Sequence, residues 1–426
     1  MLWKKRPAGV LASLLAIHLL AHIDRNMLLA FAPQMIKDLA LSNVQYGFLV
    51  GAVWVLSFGF MAIFMGTLAD RFSRTRVIAG GLMIWSVCTV ASGYAQSFEQ
   101  MVAARFFVAS GEAALVPAAV ALLSELFSER RRGTAIGLFF MGIPLGIGCS
   151  FLLAGSYGAT HGWRFTFNVL GMIGVVVAVP LCFLKEGRGT TVAQARGEPF
   201  RQQVAAMWQL LRHSPALRHT ITGFMLAHLV FAGLAFTQLW LVNERGMDAG
   251  GIATRIGLLQ LLFGTVGSVV GGAGGDRIAA KFAGGHASFM LLLVALCAPF
   301  MLAYRFVPAG SVLFYIGMCA SFFLPLALYG PANTSIQGMT PSHMRSTVAG
   351  FTMMVINVFA IAAGNLVVGF AGDYLGTHGA GAPLTMVLFG ADLLAILSAL
   401  FFALAARSTA RTAPANAPAQ TVPATP

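Results

Sequence analysis

Long apolar runs separated by short polar breaks succeed one another along the whole chain, and the stretch "VLASLLAIHLLAHIDRNMLLAFA" opens the series. Twelve such runs stand out, at about 8–33, 44–66, 77–95, 99–124, 133–158, 165–184, 218–242, 251–273, 286–306, 310–334, 347–372 and 383–406. Each is close to the roughly 20 residues that cross about 30 Å of hydrocarbon as helix. Lipid offers no hydrogen-bond partners, so the backbone must satisfy itself within each run, as a helix does. The pattern therefore predicts an all-α membrane protein with twelve transmembrane helices. Composition agrees: 58% of the 426 residues are hydrophobic and 10% charged, where a soluble domain carries about 25% charge. The basic start "MLWKKR" leads into a full-length run with no cleavage signature, so it is read as a retained first helix.

The polar breaks carry the topology. With both termini in the cytoplasm, twenty of the 27 Lys and Arg fall on the inside, five (Lys37, Arg164, Arg245, Arg255, Arg305) fall outside, and Arg25 and Arg105 lie within spans. The positive-inside rule then fixes the orientation expected in a cell (inner or plasma) membrane. The same distribution accounts for the net charge of +13 without nucleic acid as a partner. The longest connection divides the spans six and six, giving an N-terminal bundle at 1–184, a basic linker at 185–217, a C-terminal bundle at 218–406 and a Pro- and Ala-rich tail at 407–426, expected to be disordered. A weak internal repeat supports two related halves. "GTLADRFSRTR" is echoed by "GGAGGDRIAAK", and Pro117 to Arg132 by Pro331 to Arg345. Two pseudo-symmetric six-helix bundles facing each other form the architecture of an alternating-access transporter.

Other chemistry finds little footing. The five cysteines are scattered singly among apolar segments, without disulfide or metal spacing. No phosphate loop, HExxH or GxSxG motif occurs, so neither an enzyme nor a resident cofactor or metal is indicated. What remains are charges inside spans, which are costly and usually face a cavity or one another. Span 1 carries His18, His22, Asp24 and Arg25, and span 4 carries Arg105 and Glu112, two helical turns apart on one face. Protonating one acid of such a quartet frees a guanidinium to pair elsewhere, which is a switch between two states. His22 is a further candidate for binding or titration. His228 sits in span 7 at a depth like that of His18, and Asp392 in span 12 is expected to pair with a polar group in the bundle rather than to carry function.

Gly66, Leu68, Ala69, Asp70, Arg71 and Arg74 resemble the signature loop of the major facilitator superfamily, and the twelve spans in two sixes resemble that family over the whole chain. The resemblance implies a cytoplasmic latch formed by Gly66, Asp70, Arg71 and Arg74, with acceptors among Glu125, Glu129 and Arg130 to Arg132. Ser73 and Thr75 depart from the family pattern, which implies a weaker latch. Asp24 and Arg25, with Arg105 and "GEA" in span 4, "MGIPLG" (Met141 to Gly146) and "GWRFTF" (Gly162 to Phe167), look like the spinster-like branch in the first half. They are similar also to the anion:cation symporter branch. That likeness implies proton coupling at Asp24 and Glu112, with Arg25 and Arg105, and His22 beside them, as partners or as counter-charges for substrate. The expected activity is secondary active transport, by a monomer in the lipid bilayer, of a small amphipathic or anionic solute coupled to protons. An organic-anion:proton symporter, a passive lipid translocator and a non-transporting sensor on the same scaffold are the alternatives.

Overall fold

The computed structural model describes residues 6–71, 73–183 and 200–412. Among them are twelve helices long and apolar enough to cross a membrane: Pro7–Ala30, Asn43–Met61, Arg74–Tyr94, Phe98–Leu126, Thr134–Gly155, Tyr157–Leu181, Pro215–Asn243, Ala249–Gly272, Gly285–Ala303, Val312–Gly338, Thr347–Thr377 and Pro383–Ala410, numbered spans 1 to 12. Short polar residues in the breaks start many of them. Ser42 and Gln45 form a reciprocal capping box at span 2, and Ser73, Ser97, Ser214, Asp248 and Ser311 each accept from a first-turn backbone N–H. Such caps satisfy donors that no helical carbonyl reaches.

Two apolar clusters belong to one bundle each. Leu82, Trp85, Leu122 and Phe139 pack in the first, and Phe224, Met290, Leu328 and Phe402 in the second. A third cluster draws on both: Phe31, Tyr46 and Phe167 meet Phe236, Trp240 and Phe314. Tyr46 Oη donates to the Ala235 carbonyl across the same boundary, at 2.8 Å. The bundles are thus joined at the end that carries the breaks between spans 1 and 2 and between spans 7 and 8.

Two seams of small residues complete that junction. In span 2 a Cβ on Gly51 would lie 2.8 Å from the Ile361 carbonyl of span 11, and in span 8 a Cβ on Gly257 would lie 2.8 Å from the Gly148 carbonyl of span 5. Only glycine permits main chains this close. The pairs 2 with 11 and 8 with 5 correspond under the exchange of halves, so the repeat seen in sequence is matched at the interface. π-helical turns at Phe48–Ala52 and Ile356–Ala363 lie along the first seam.

At its tip Asp373 of span 11 accepts from the backbone N–H of Asn43 at 3.1 Å and of Val44 at 2.9 Å, and from Asn43 Nδ2 at 2.8 Å. One carboxylate thereby caps the start of span 2 from the other bundle. Hydrogen bonds to charged groups contribute about 1.5–3 kcal/mol each. Asp373→Ala is expected to speed amide hydrogen exchange at residues 43–47 by about tenfold or more, the effect of losing one such bond; unchanged exchange would show that the cap holds nothing together.

One reading of the breaks needs correction. Arg305, counted above among outside loop residues, is 1% exposed and donates from Nε to Asp392 Oδ2 at 2.7 Å. It follows directly on span 9, and the turn folds its side chain back into the bundle between Trp240 and Tyr304, 4.7 and 4.4 Å from the ring centroids. Asp392 thus has its partner. Within the linker, Phe200–His213 is a helix whose Met207 and Leu211 are buried in the second core, with Trp208 exposed. The rest of the linker and most of the tail, residues 184–199 and 413–426, lie outside the described residues.

Candidate functional site

Between the bundles lies a cavity of about 240 Å³. The first bundle lines it with His22, Arg25, Asn26, Trp54 and Arg105, the second with His228, Phe231, Tyr329, Asn357 and Asn365, and Ile143, Ile147 and Ile356 fill the wall between. One wall is cationic and the other neutral, polar and aromatic. No carboxylate is among the described lining residues.

The acids stand one layer back. Arg105 Nη1 donates to Asp24 Oδ1 at 2.8 Å and Nη2 to the Asp24 backbone carbonyl at 3.3 Å, and Thr89 of span 3 donates to Asp24 Oδ2. Asp24 is 2% exposed and Arg105 5%. Adjacent helical residues point about 100° apart. Asp24 therefore turns towards spans 3 and 4 while Arg25 turns into the cavity. Its guanidinium lies 3.4 Å over the Trp54 ring of span 2, a stack contributing about 2 kcal/mol where water is excluded. The same indole donates from Nε1 to Glu112 Oε2 at 2.9 Å. Glu112 Oε1 is buried without a hydrogen-bond partner among the described residues.

Span 4 is interrupted just beyond this carboxyl. Its first helix ends at Glu112 and the second starts at Leu115. Pro117 lacks the N–H that the Ala113 carbonyl would accept, which breaks the ladder there. Glu112 thus sits at a joint in its own helix.

The quartet is brought together, but paired differently from a face-by-face reading. Arg105 and Glu112 share a face without sharing a partner, and Trp54 mediates between Arg25 and Glu112. Trp54 and Thr89 were missed: one is an aromatic in an apolar run and the other a lone hydroxyl, and neither differs by type or spacing from ordinary packing residues. At the far end of span 4, Arg74 Nη1 meets Glu125 Oε1 at 2.5 Å, both partly exposed. A pair so placed contributes about 1 kcal/mol or less. The side chains of Gly66, Asp70 and Arg71 lie outside the described residues.

Residues 14–364 match the family model of the Major Facilitator Superfamily. The chain belongs to that superfamily. Membership makes it a transmembrane transporter rather than an enzyme. An MFS-type efflux pump of Mycolicibacterium smegmatis is 28% identical over 373 residues, 86% of this chain and 84% of the relative. The hexuronate transporter of Bacillus subtilis is 25% identical over 387 residues, 88% of this chain and 90% of the relative. In fold the facilitator resembles a bacterial homologue of the human lysosomal transporter Spinster in an inward-facing, unoccupied conformation, with a TM-score of 0.80, 20% identity, and coverage of 95% of this chain and 98% of the other. The spinster-like character read from the first half extends, at the level of fold, over both bundles.

Proposed function

We propose that this transporter moves a small amphipathic organic anion by alternating access, coupled to protons. The observation that carries the reading is the cavity wall itself: two guanidiniums and two imidazoles face the solute space while both carboxylates are held behind them. Arg25 and Arg105 form the counter-charge for the head of the solute, and His228, Phe231 and Tyr329 of the second bundle receive its apolar body. Asp24 and Glu112 carry the coupling. A proton on either changes the charge that its neighbouring arginine must balance, and so couples solute binding to protonation. The hexuronate transporter among its relatives, named for an anionic organic solute, supports the class.

By the positive-inside rule the joined end faces outwards and both termini face the cytoplasm, in the cell membrane. In the present state the glycine seams and the Asp373 cap would then close the outer side, and the partly exposed Arg74 and Glu125 pair would bias the inner gate only weakly. The protein acts as a monomer, since the cavity is complete within one chain.

Uptake into proteoliposomes with and without a pH gradient tests the coupling. Wild-type protein is expected to accumulate an organic acid only under the gradient, and Glu112→Gln is expected to accumulate markedly less of it under the same gradient. Gradient-independent transport by wild type that survives Glu112→Gln would refute proton coupling and favour a passive translocator. Absence of any flux alongside intact binding would point to a sensor.

A further inference from the structure

Spans 1 and 5 meet over a pair of histidines. His18 Nδ1 lies 2.9 Å from the Phe139 carbonyl oxygen, and His18 Nε2 lies 3.2 Å from His22 Nε2. A carbonyl can only accept, so His18 Nδ1 carries a proton. In the neutral ring Nε2 is then an acceptor, and the proton between the two rings belongs to His22 Nε2. Both tautomers are fixed by this one chain of hydrogen bonds. It leaves His22 Nδ1 as a lone pair, without a partner among the described residues, on a side chain that lines the cavity. His18 is 2% exposed and stacked on Phe139, with ring centroids 4.2 Å apart.

Span 5 is shaped to hold the pair. A Cβ on Gly142 would lie 2.8 Å from His18 Nδ1, and a Cβ on Gly146 would run into His22 Cβ. The glycines of "MGIPLG" thus complement two imidazoles spaced four residues apart on span 1. Span 5 offers no ionisable group between Phe139 and Gly146. The charged and titratable groups around the pair are Arg25 on the same helix, Arg105 and Glu112 on span 4, Asp24 behind the wall and His228 across the cavity.

We infer that His18 and His22 form a proton-binding dyad that fills together with the anionic solute, His22 Nδ1 taking the proton and donating it to the anion as a hydrogen bond. With the cavity empty, a further positive charge on His22 is repelled by Arg25, while the charge of Arg105 is already balanced by Asp24. An anion lodged among the three removes that repulsion, so anion and proton each favour the other's binding. His18 acts through His22: its fixed Nδ1 to carbonyl bond makes Nε2 the acceptor that holds His22 in the ring orientation exposing Nδ1. The inference rests on the reading of the cavity as an anion site, and adds a carrier distinct from Asp24 and Glu112.

Benzoate binding to the purified full chain, measured by calorimetry from about pH 5 to 8, where histidine charge changes, tests the linkage. The slope of log Kd against pH is expected to be about one lower in His22→Gln than in wild type, about a tenfold change in affinity per pH unit, and the same difference is expected between Glu112→Gln and the double variant Glu112→Gln, His22→Gln. Equal slopes in wild type and His22→Gln overturn the dyad as carrier while leaving the anion site standing. Failure of wild type to bind benzoate or galacturonate at any pH in that range overturns both the anion site and the coupled filling. Histidine-selective 15N NMR of the empty protein gives a ligand-independent check: one ring protonated at Nδ1 and coupled to one protonated at Nε2 is expected, and independent, exchanging tautomers would overturn the dyad itself. Gly146→Ala, which presses on His22 without altering any ionisable group, is expected to flatten the slope as His22→Gln does, and a wild-type slope there counts against the fit of span 5 to the pair.

Discussion

Arg305→Leu is expected to lower the resistance of the detergent-solubilised protein to heat and denaturant by about 3–5 kcal/mol, the usual cost of removing one partner from a buried pair. Asp392 is 1% exposed, and Arg305 Nε is its hydrogen-bond donor. The substitution leaves that carboxylate without the counter-charge that Arg305 supplies. The double variant Arg305→Leu, Asp392→Leu is expected to recover most of the loss, because apolar side chains of similar volume often match a buried pair in stability. Thermal aggregation monitored by size exclusion reads both outcomes. If the single variant is as stable as wild type, the pair is not what holds spans 9 and 12 together.

Arg105→Ala is expected to abolish transport. Two losses combine: the cavity loses one of its two guanidiniums, and among the described residues Asp24 keeps only Thr89 as a side-chain hydrogen-bond partner. The second loss alone could unfold the first bundle, so a charge-neutral variant separates them. In Asp24→Asn, Arg105→Gln the two amides can hydrogen-bond to each other, and the protein is expected to reach the membrane at wild-type levels yet carry no solute. Arg105→Lys keeps the charge but not the two-pronged grip on the Asp24 carboxylate and carbonyl, and is expected to retain a small part of the flux. Counterflow of labelled solute, normalised to membrane protein, is the measurement. Wild-type counterflow by either Arg105→Ala or the double variant would make the pair a scaffold.

The number of spans, their grouping and the presence of a charged group in spans 1 and 4 are legible in the chain because lipid imposes length and apolarity residue by residue. What the chain does not display is which neighbour a side chain meets. Periodicity places Asp24 and Arg25 on different faces of span 1 but cannot say that one face meets Thr89 and Arg105 and the other opens on the cavity. Trp54 is invisible for the same reason, since its value lies in being touched by Arg25 on its face and by Glu112 at its edge. Arg305 misleads because a charge just beyond an apolar run ordinarily marks the water boundary, and only a partner 87 residues away draws it inside. The helix at Phe200–His213 was hidden by its polar and basic surroundings, which read as linker although Met207 and Leu211 recur on one face.

The two halves bury their charges in unlike settings. In the second bundle Arg305 and Asp392 are sealed behind Trp240 and Tyr304, whereas in the first Arg25 and Arg105 border the solute space. On the proposed coupling, the charge that varies with loading at Asp24, Glu112 and His22 resides in the first half, and the electric field across the membrane would do its work there. At 100 mV that work is about 2.3 kcal/mol for each unit charge carried through the full drop.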